Sequence, residues 1–449
     1  MTTYDPEKRP EQIGPMLIRT EGVSNSTRPH YSQRRTKRRS QNAVFPIVIL
    51  AGALFSTFLS PQISLFGGGL RLALPLFLLL GFIVILSRHR VAMQTLRNQG
   101  TVTIMGLAFV AMGFLRYFSD PEPTLLHNHV ISALVCIGLW IAVIMLRQVF
   151  PESVEKIRWI VLITLGVSLG MGISLLIQEP GIARRTMGNP LSEFYGAMLY
   201  PKGVANYSWY TPVAFAFPVV ANWLYNSPRR LPVKIIGWCL LLAACVAVLF
   251  STFTMAAVML ILASFLWLFL VTLKGKGKVS RLAALIIIVV SLVFLPSLYY
   301  LALDLGATGF ITAKATRLIE GAFSEGVIDA DVSGRTWMFF ETMNTFLQHP
   351  ILGAWGIEPS FFVGGHSSWA DTLALQGVLG MLLWVGFLSP SWRRQRPFSV
   401  SDGVAGGTLS WILLGLGGIL NPTFSSHVGL ILLWLFDDGG GWQAGAANK

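Results

Sequence analysis

The chain has 449 residues, of which 53% are hydrophobic and 12% charged, and its mean hydropathy is +0.61. A water-soluble protein carries about 25% charged residues, so this composition excludes a string of soluble domains. The net charge of +13, from 34 Lys and Arg against 21 Asp and Glu, would point to nucleic acid only on the basic face of a soluble domain; no such domain is present, and nucleic acid is excluded as a partner.

In chain order, residues 1–42 are polar and end in Arg34-Arg35-Thr36-Lys37-Arg38-Arg39. A segment of this composition cannot bury a core, so a disordered, basic cytoplasmic tail is expected. The first apolar run begins at about Ala43 without the cleavage pattern of a signal peptide, so it reads as an anchor that stays. Apolar runs follow at 44–60, 70–87, 101–118, 130–147, 159–177, 209–226, 235–251, 254–273, 282–301, 368–389, 404–420 and 427–437. A helix needs about 20 residues to cross ~30 Å of hydrocarbon. The expected fold class is therefore all-α: a polytopic membrane protein with about twelve transmembrane helices. The membrane domain covers 43–437, and 438–449 is a short cytoplasmic tail. Cys136, Cys239 and Cys245 lie inside apolar runs, where packing is their ordinary role; no disulfide or zinc pattern is present.

Lys and Arg accumulate on the cytoplasmic side of membrane proteins. With residue 1 inside, 26 of the 34 basic residues fall on inner segments and eight on outer ones. Two long outer segments result, 178–208 and 302–367, and long connections usually carry function. In the second, Ser333-Gly334-Arg335 precedes Trp337, Phe340, Met343 and Leu347, and His349-Pro350 closes the run. That spacing predicts an amphipathic helix lying on the membrane surface or on the bundle; a shorter helix is expected around Ala313–Phe323.

The expected span centres contain no acidic residue, whereas coupled transporters place charge or broken helices there. Ionisable residues gather instead on the outer side: Glu179, Arg184, Arg185 and Lys202, then Lys314, Arg317, Arg335, Glu341, His349, Glu358, His366 and Asp371. Guanidinium groups bind phosphate oxygens in two-pronged fashion, and the alternative for any one of them is ordinary contact with lipid headgroups. His366 stands at the start of a run entering a span, with Trp369 or Ala370, Leu373, Gly377 and Gly380 on one helical face. There Gly377 and Gly380 would let another helix approach closely. A neutral imidazole at that mouth can take a proton near pH 7, as a general base must; a helix cap or a solvated residue is the plainer alternative.

Gly334-Arg335 with its aromatic-rich helix, His349-Pro350-Ile351-Leu352-Gly353-Ala354-Trp355-Gly356, and His366 followed by Gly377 and Gly380 together resemble the O-antigen ligase and Wzy-type polysaccharide polymerase superfamily. The resemblance lies in 330–385 and is topological elsewhere. It implies transfer of a glycan from an undecaprenyl-diphosphate carrier to a glycan or lipid acceptor hydroxyl, without metal, nucleotide or other cofactor. The place would be the outer face of a bacterial cytoplasmic membrane, with both termini cytoplasmic and a flippase or chain-length regulator as partner. It also implies His366 as general base, Arg184 or Arg185 on the diphosphate, and Arg335 either orienting the loop or contacting phosphate; Arg317, Lys202, His349 and Asp371 are the candidates in support. The chain departs from the family pattern at Ser367, where many members have asparagine, and at Leu375, where they have glutamate. It departs again at Ser251-Thr252, where a Ser-Arg pair is usual, and Arg116, Lys202 or Arg317 would then supply the second phosphate contact. The competing expectation is a transporter or flippase of lipid-linked oligosaccharide, which forms no bond and needs a charged cavity within the membrane.

Overall fold

A chain that crosses hydrocarbon must satisfy its peptide groups internally, and helices do this within one segment. The structure, a computed structural model, describes residues 30–65, 68–119, 130–179, 181–186, 191–274, 330–354, 367–393, 405–420 and 427–437. Among them there is no strand, and the secondary structure is about 90% helical. The helices are α1 (His30–Leu59), α2 (Pro61–Leu65), α3 (Gly68–Asn98), α4 (Gly100–Ser119), α5 (Ser132–Val149), α6 (Pro151–Gly170), α7 (Ile173–Gln178) and α8 (Ser192–Leu199). They continue as α9 (Tyr207–Asn226), α10 (Leu231–Phe250), α11 (Thr254–Lys274), α12 (Ala330–Gln348), α13 (Ser368–Arg393), α14 (Ala405–Leu420) and α15 (His427–Phe436).

Six helical stretches among the described residues are long and apolar enough to cross a membrane: Arg71–Asn98, Gly100–Phe118, Ser132–Val149, Pro151–Gln178, Leu231–Phe250 and Ser368–Ser389. Val44–Leu59, Met255–Val271 and His427–Phe436 are apolar but shorter. The chain is an all-α membrane protein. The expected runs fall on helices, with 159–177 divided between α6 and α7 by a turn at 171–172, except 282–301, which lies outside the described residues. The chain divides into two units, Met1–Ala43 and Val44–Lys449, with the boundary inside α1. Residues 30–42, expected without regular structure, are helical; residues 1–29 and 438–449 lie outside the described residues.

The centre of the second unit is α9, which packs against α10, α11, α14 and α15. Its Pro212 and Pro218 interrupt the helical ladder, and Val219 N donates 3.1 Å to Ser410 Oγ on α14, a neighbour's hydroxyl standing in for a lost partner. Beside α9 lies α15, whose residues Val428–Phe436 are all buried. At about 15 Å long it is too short to span hydrocarbon by itself.

The helices run so that ends assigned by charge to one side meet one another. At one end Gln62 Nε2 donates 3.1 Å to Ser168 O, and His427 Nε2 lies 3.3 Å from Ser132 O. At the other end Arg147 Nη2 and Arg158 Nε donate 2.8 and 2.7 Å to Leu435 O, closing the C-terminus of α15. There too Glu155 accepts from Trp223 Nε1 at 3.1 Å and pairs with Arg229 at 3.4 Å, and Arg88 pairs with Glu152 at 2.9 Å.

The expected uninterrupted helix from Ser368 to Gly380 is corrected. It breaks at Gly377 (φ 64°, ψ −170°), a conformation essentially confined to glycine. Into the break comes the segment after α12: Ala354 N donates 2.9 Å to Ala374 O, Val378 N 2.8 Å to Pro350 O, and Leu379 N 3.2 Å to Ile351 O. Gly377 therefore faces the backbone of this strap, and a Cβ there would overlap the Ile351 carbonyl. Gly380 faces the Gln376 side chain. The nearest atoms to both glycines belong to the strap or to α13 itself. The strap works because 349–354 can donate to and accept from the peptide groups that the break exposes. The expected amphipathic helix is present as α12, with Phe340 65% and Leu347 69% exposed and Thr342 buried. Phe340 and Leu347 of its apolar stripe face away from the protein, where lipid would lie.

Gly377→Ala is expected to lower stability by at least about 2 kcal/mol, because it combines a strained φ with backbone overlap. Gly81→Ala, at a position in α3 with nothing within 4 Å of the new methyl, is expected to raise stability by up to about 1 kcal/mol. Thermal unfolding of the two purified variants in one detergent checks the contrast, and equal behaviour would refute the break.

Candidate functional site

The arginine pair sits on a short 3-10 segment, Ile182–Thr186, which begins after the left-handed Gly181 (φ 88°). Ile182, Ala183 and Thr186 are buried, and Thr186 Oγ1 donates 2.7 Å to Ala183 O. These anchors fix the segment, and its tight winding turns the two neighbouring arginines in different directions. Arg184 is half-buried; its Nε and Nη2 donate 3.2 and 2.7 Å to Thr252 O, and its guanidinium lies 5.9 Å from the Phe253 ring centre. Arg185 is exposed, pairs with Glu179 at 3.6 Å, and lies 5.9 Å from the Tyr195 ring centre. An exposed pair of this kind contributes about 0–1 kcal/mol and exchanges readily for another anion.

The partner of Arg184 is itself unusual. Thr252 joins α10 to α11 with φ 61°, the sole non-glycine at positive φ among the described residues. A β-branched residue there costs about 1–2 kcal/mol. Local bonds hold it: Ser251 Oγ donates 2.6 Å to Val248 O, and Thr252 Oγ1 donates 2.7 Å to Ser251 O. Phe253 turns inward against Tyr207 and Tyr210, at ring distances of 5.7 and 5.9 Å. Arginine is thus present at the Ser251-Thr252 junction, where the chain itself has none, because the 181–186 segment delivers it.

The same loop holds Tyr200, whose ring centre is 5.6 Å from that of Trp209. Its hydroxyl accepts 2.9 Å from Asn206 Nδ2 and shares a second bond with Thr186. Burial pushes the Tyr200 phenol above its ordinary value, although the Asn206 and Thr186 bonds oppose the rise. Lys202 is exposed on the following turn. The loop is seated by Gly203 (φ 83°), which approaches the backbone of Ser168 and Gly172 too closely for a side chain.

The second set of expected residues is on other elements. Arg335 lies in the second turn of α12, which starts at Ala330 rather than after Arg335, and its side chain is outside the described residues. His349 is half-buried at the end of α12, its N–H shared between Thr345 O and Phe346 O and its carbonyl accepting 3.0 Å from Gly353 N. His366 and Arg317 lie outside the described residues. Ser367 caps α13: its Oγ accepts 3.2 Å from Ala370 N and donates 3.2 Å to Gly418 O. Asp371 is buried and its Oδ2 accepts 3.3 Å from Ser367 N, so this carboxylate closes the helix start. Trp369 Nε1 donates 2.8 Å to Gly415 O of α14. Arg116, considered as a phosphate contact, is 4% exposed, and its Nη1 donates to Leu375 O at the end of the first half of α13.

The structure brings Arg184, Arg185 and Lys202 into one folded loop, and His349, Asp371 and Arg335 onto the paired helices α12 and α13. Among the described residues no substantial packing joins the two groups, and no three His, Cys, Asp or Glu side chains gather as metal ligands. Sequence reasoning missed Thr252 and the burial of Arg116. The isolated Gly377 carried a signal for the break, since glycine inside a helical run costs about 1 kcal/mol and needs a reason.

Arg184→Gln and Thr252→Gly are expected to be coupled by about 0.5–3 kcal/mol, because glycine accepts the left-handed turn without the clamp; additive unfolding energies would refute the clamp. For Tyr200 the folded phenol titrates above the unfolded one, so its contribution is complete below about pH 10 and is lost as pH rises further. Tyr200→Phe is expected to flatten the alkaline limb of a stability-against-pH curve. No model of a known protein family matches this chain, and no curated protein matches it.

Proposed function

We propose that the chain is a membrane glycosyltransferase of the O-antigen ligase and polymerase type. It moves a glycan from an undecaprenyl-diphosphate carrier to an acceptor hydroxyl during cell-surface polysaccharide synthesis. The observation that carries this reading is the contact of Arg184 with the Thr252 carbonyl. It puts a guanidinium at the turn where the resemblance calls for an arginine. In the bacterial cytoplasmic membrane, the twelve-span reading with both termini inside places this turn at the outer face.

In the reaction His366 takes the acceptor's proton, and the acceptor oxygen bonds to the anomeric carbon as the bond from that carbon to the diphosphate oxygen breaks. Negative charge grows on the departing undecaprenyl diphosphate. Arg184, Arg185 and Arg335 hold it, and fixed cations stabilise that charge more in the transition state than in the ground state. Glu179 beside Arg185 is the group the phosphate displaces. Arg116 and Asp371 act in the scaffold, as the carbonyl clamp and the helix cap.

One observation favours a second reading, a transporter of lipid-linked oligosaccharide: α13 is discontinuous, and broken helices recur in transporters. Membranes carrying His366→Ala are expected to accumulate lipid-linked glycan and to lose at least about 99% of transferred product, the scale at which general bases contribute. Normal product from that variant removes His366 as the base. Purified protein that carries the glycan carrier between leaflets without forming a glycosidic bond supports the transporter instead.

A further inference from the structure

The loop at 181–210 contains an apolar surface that no expected span accounts for. Leu191, Phe194 and Met198 are 57%, 58% and 47% exposed. Their spacing of three and four residues puts Phe194 and Met198 on one face of α8, continued by Leu191 at the position just before it. The opposite face is seated on protein: Leu199 is 4% exposed, and Gly196 is buried against Tyr200. An eight-residue helix with large exposed apolar side chains on one side is not stable in water by itself.

Its position says what covers it. Val204 N donates 3.2 Å to Leu199 O, which turns the chain from the end of α8 into Gly203. Gly203 in turn lies against Met171 and Gly172, where α6 ends. From α6 into the turn that follows it, the exposed residues Ile163, Val167 and Met171 recur every four positions, a stripe that lipid must cover if Pro151–Gln178 crosses the membrane. The end of α8 therefore stands near the last residue of that stripe, in the final turns of Pro151–Gln178. Arg185 and Lys202, both exposed on the adjoining turns, are cations of the kind that meet phosphate headgroups.

We infer that α8 is an interfacial helix, its Leu191, Phe194 and Met198 face inserted among the acyl chains of the leaflet at this end of the bundle, with Arg185 and Lys202 at headgroup level. The occupant is bilayer lipid, and the inference holds whatever reaction the protein carries out. It also gives the loop a depth: an arginine at the phosphate plane can reach a phosphate that remains attached to its lipid.

Full-length protein in which Cys136, Cys239 and Cys245 are replaced is labelled with a nitroxide at Phe194→Cys and, separately, at Met198→Cys. Lys202→Cys is the headgroup-level reference and Leu242→Cys, 62% exposed on α10, the hydrocarbon reference. In vesicles of phosphatidylcholine with a minority of phosphatidylglycerol, collision rates with oxygen and with a water-soluble nickel chelate are measured. Insertion about 5–10 Å below the headgroups predicts an oxygen-to-nickel ratio at 194 and 198 at least about threefold above that at 202 and on the side of 242. A ratio equal to or below that at 202 overturns the inference, because the face then lies no deeper than the headgroups. Labels at 194 and 198 shielded from both reagents overturn it too, because protein then covers the face.

Discussion

A helix that ends away from water leaves carbonyl oxygens without partners, and in this chain arginine supplies the missing donors. Arg184 serves Thr252 O beyond α10, Arg116 serves Leu375 O at the break in α13, and Arg147 and Arg158 share Leu435 O at the end of α15. Arg88 donates to Val149 O at the end of α5. The guanidinium suits this task because it keeps its charge when buried and offers several donors in a fixed plane. It also meets the negative end of the helix dipole. Each such bond is worth roughly 1.5–3 kcal/mol, more than a neutral one.

These closures allow the chain to leave helical geometry where a bilayer protein ordinarily cannot. At Gly377 the strap 349–354 takes over the exposed peptide groups, and Arg116 secures the carbonyl beside them. At Thr252 a β-branched residue stays in the left-handed region because Arg184 and the Ser251 hydroxyl bracket it. Strain of this kind persists only where surrounding structure over-determines it, and it concentrates at functional sites. The glycosyltransferase reading draws on that concentration: its diphosphate arginine and its strained turn are one contact.

The apolar runs were legible because length and hydropathy depend on local composition alone, and α3 even breaks at Arg88, where the run 70–87 was expected to stop. Residues that the charge count assigns to one side meet one another at one end of the bundle. Arg184 and Arg185 read as equivalent neighbours, yet one is half-buried on a carbonyl and the other exposed on Glu179. What separates them is which face of a 3-10 turn meets the core, and that follows from Ile182 and Ala183 packing. Asp371 read as a supporting polar group of the site, and its hydrogen bond from Ser367 N at the start of α13 was not legible, because it depends on how the chain enters the helix.

The amino-acid sequence by itself determined that this is an all-α membrane protein, where most of its helices lie, and which few charged residues fall between them. Those properties are sums over neighbouring residues. Tertiary structure alone decided that the strap 349–354 fills the break at Gly377, that Arg116 is buried on Leu375 O, and that Arg184 meets Thr252 across 68 positions of chain. Such pairings depend on peptide groups meeting at the ends of helices, and the partner of a carbonyl is set by what packs beside it, which no local pattern of side chains encodes.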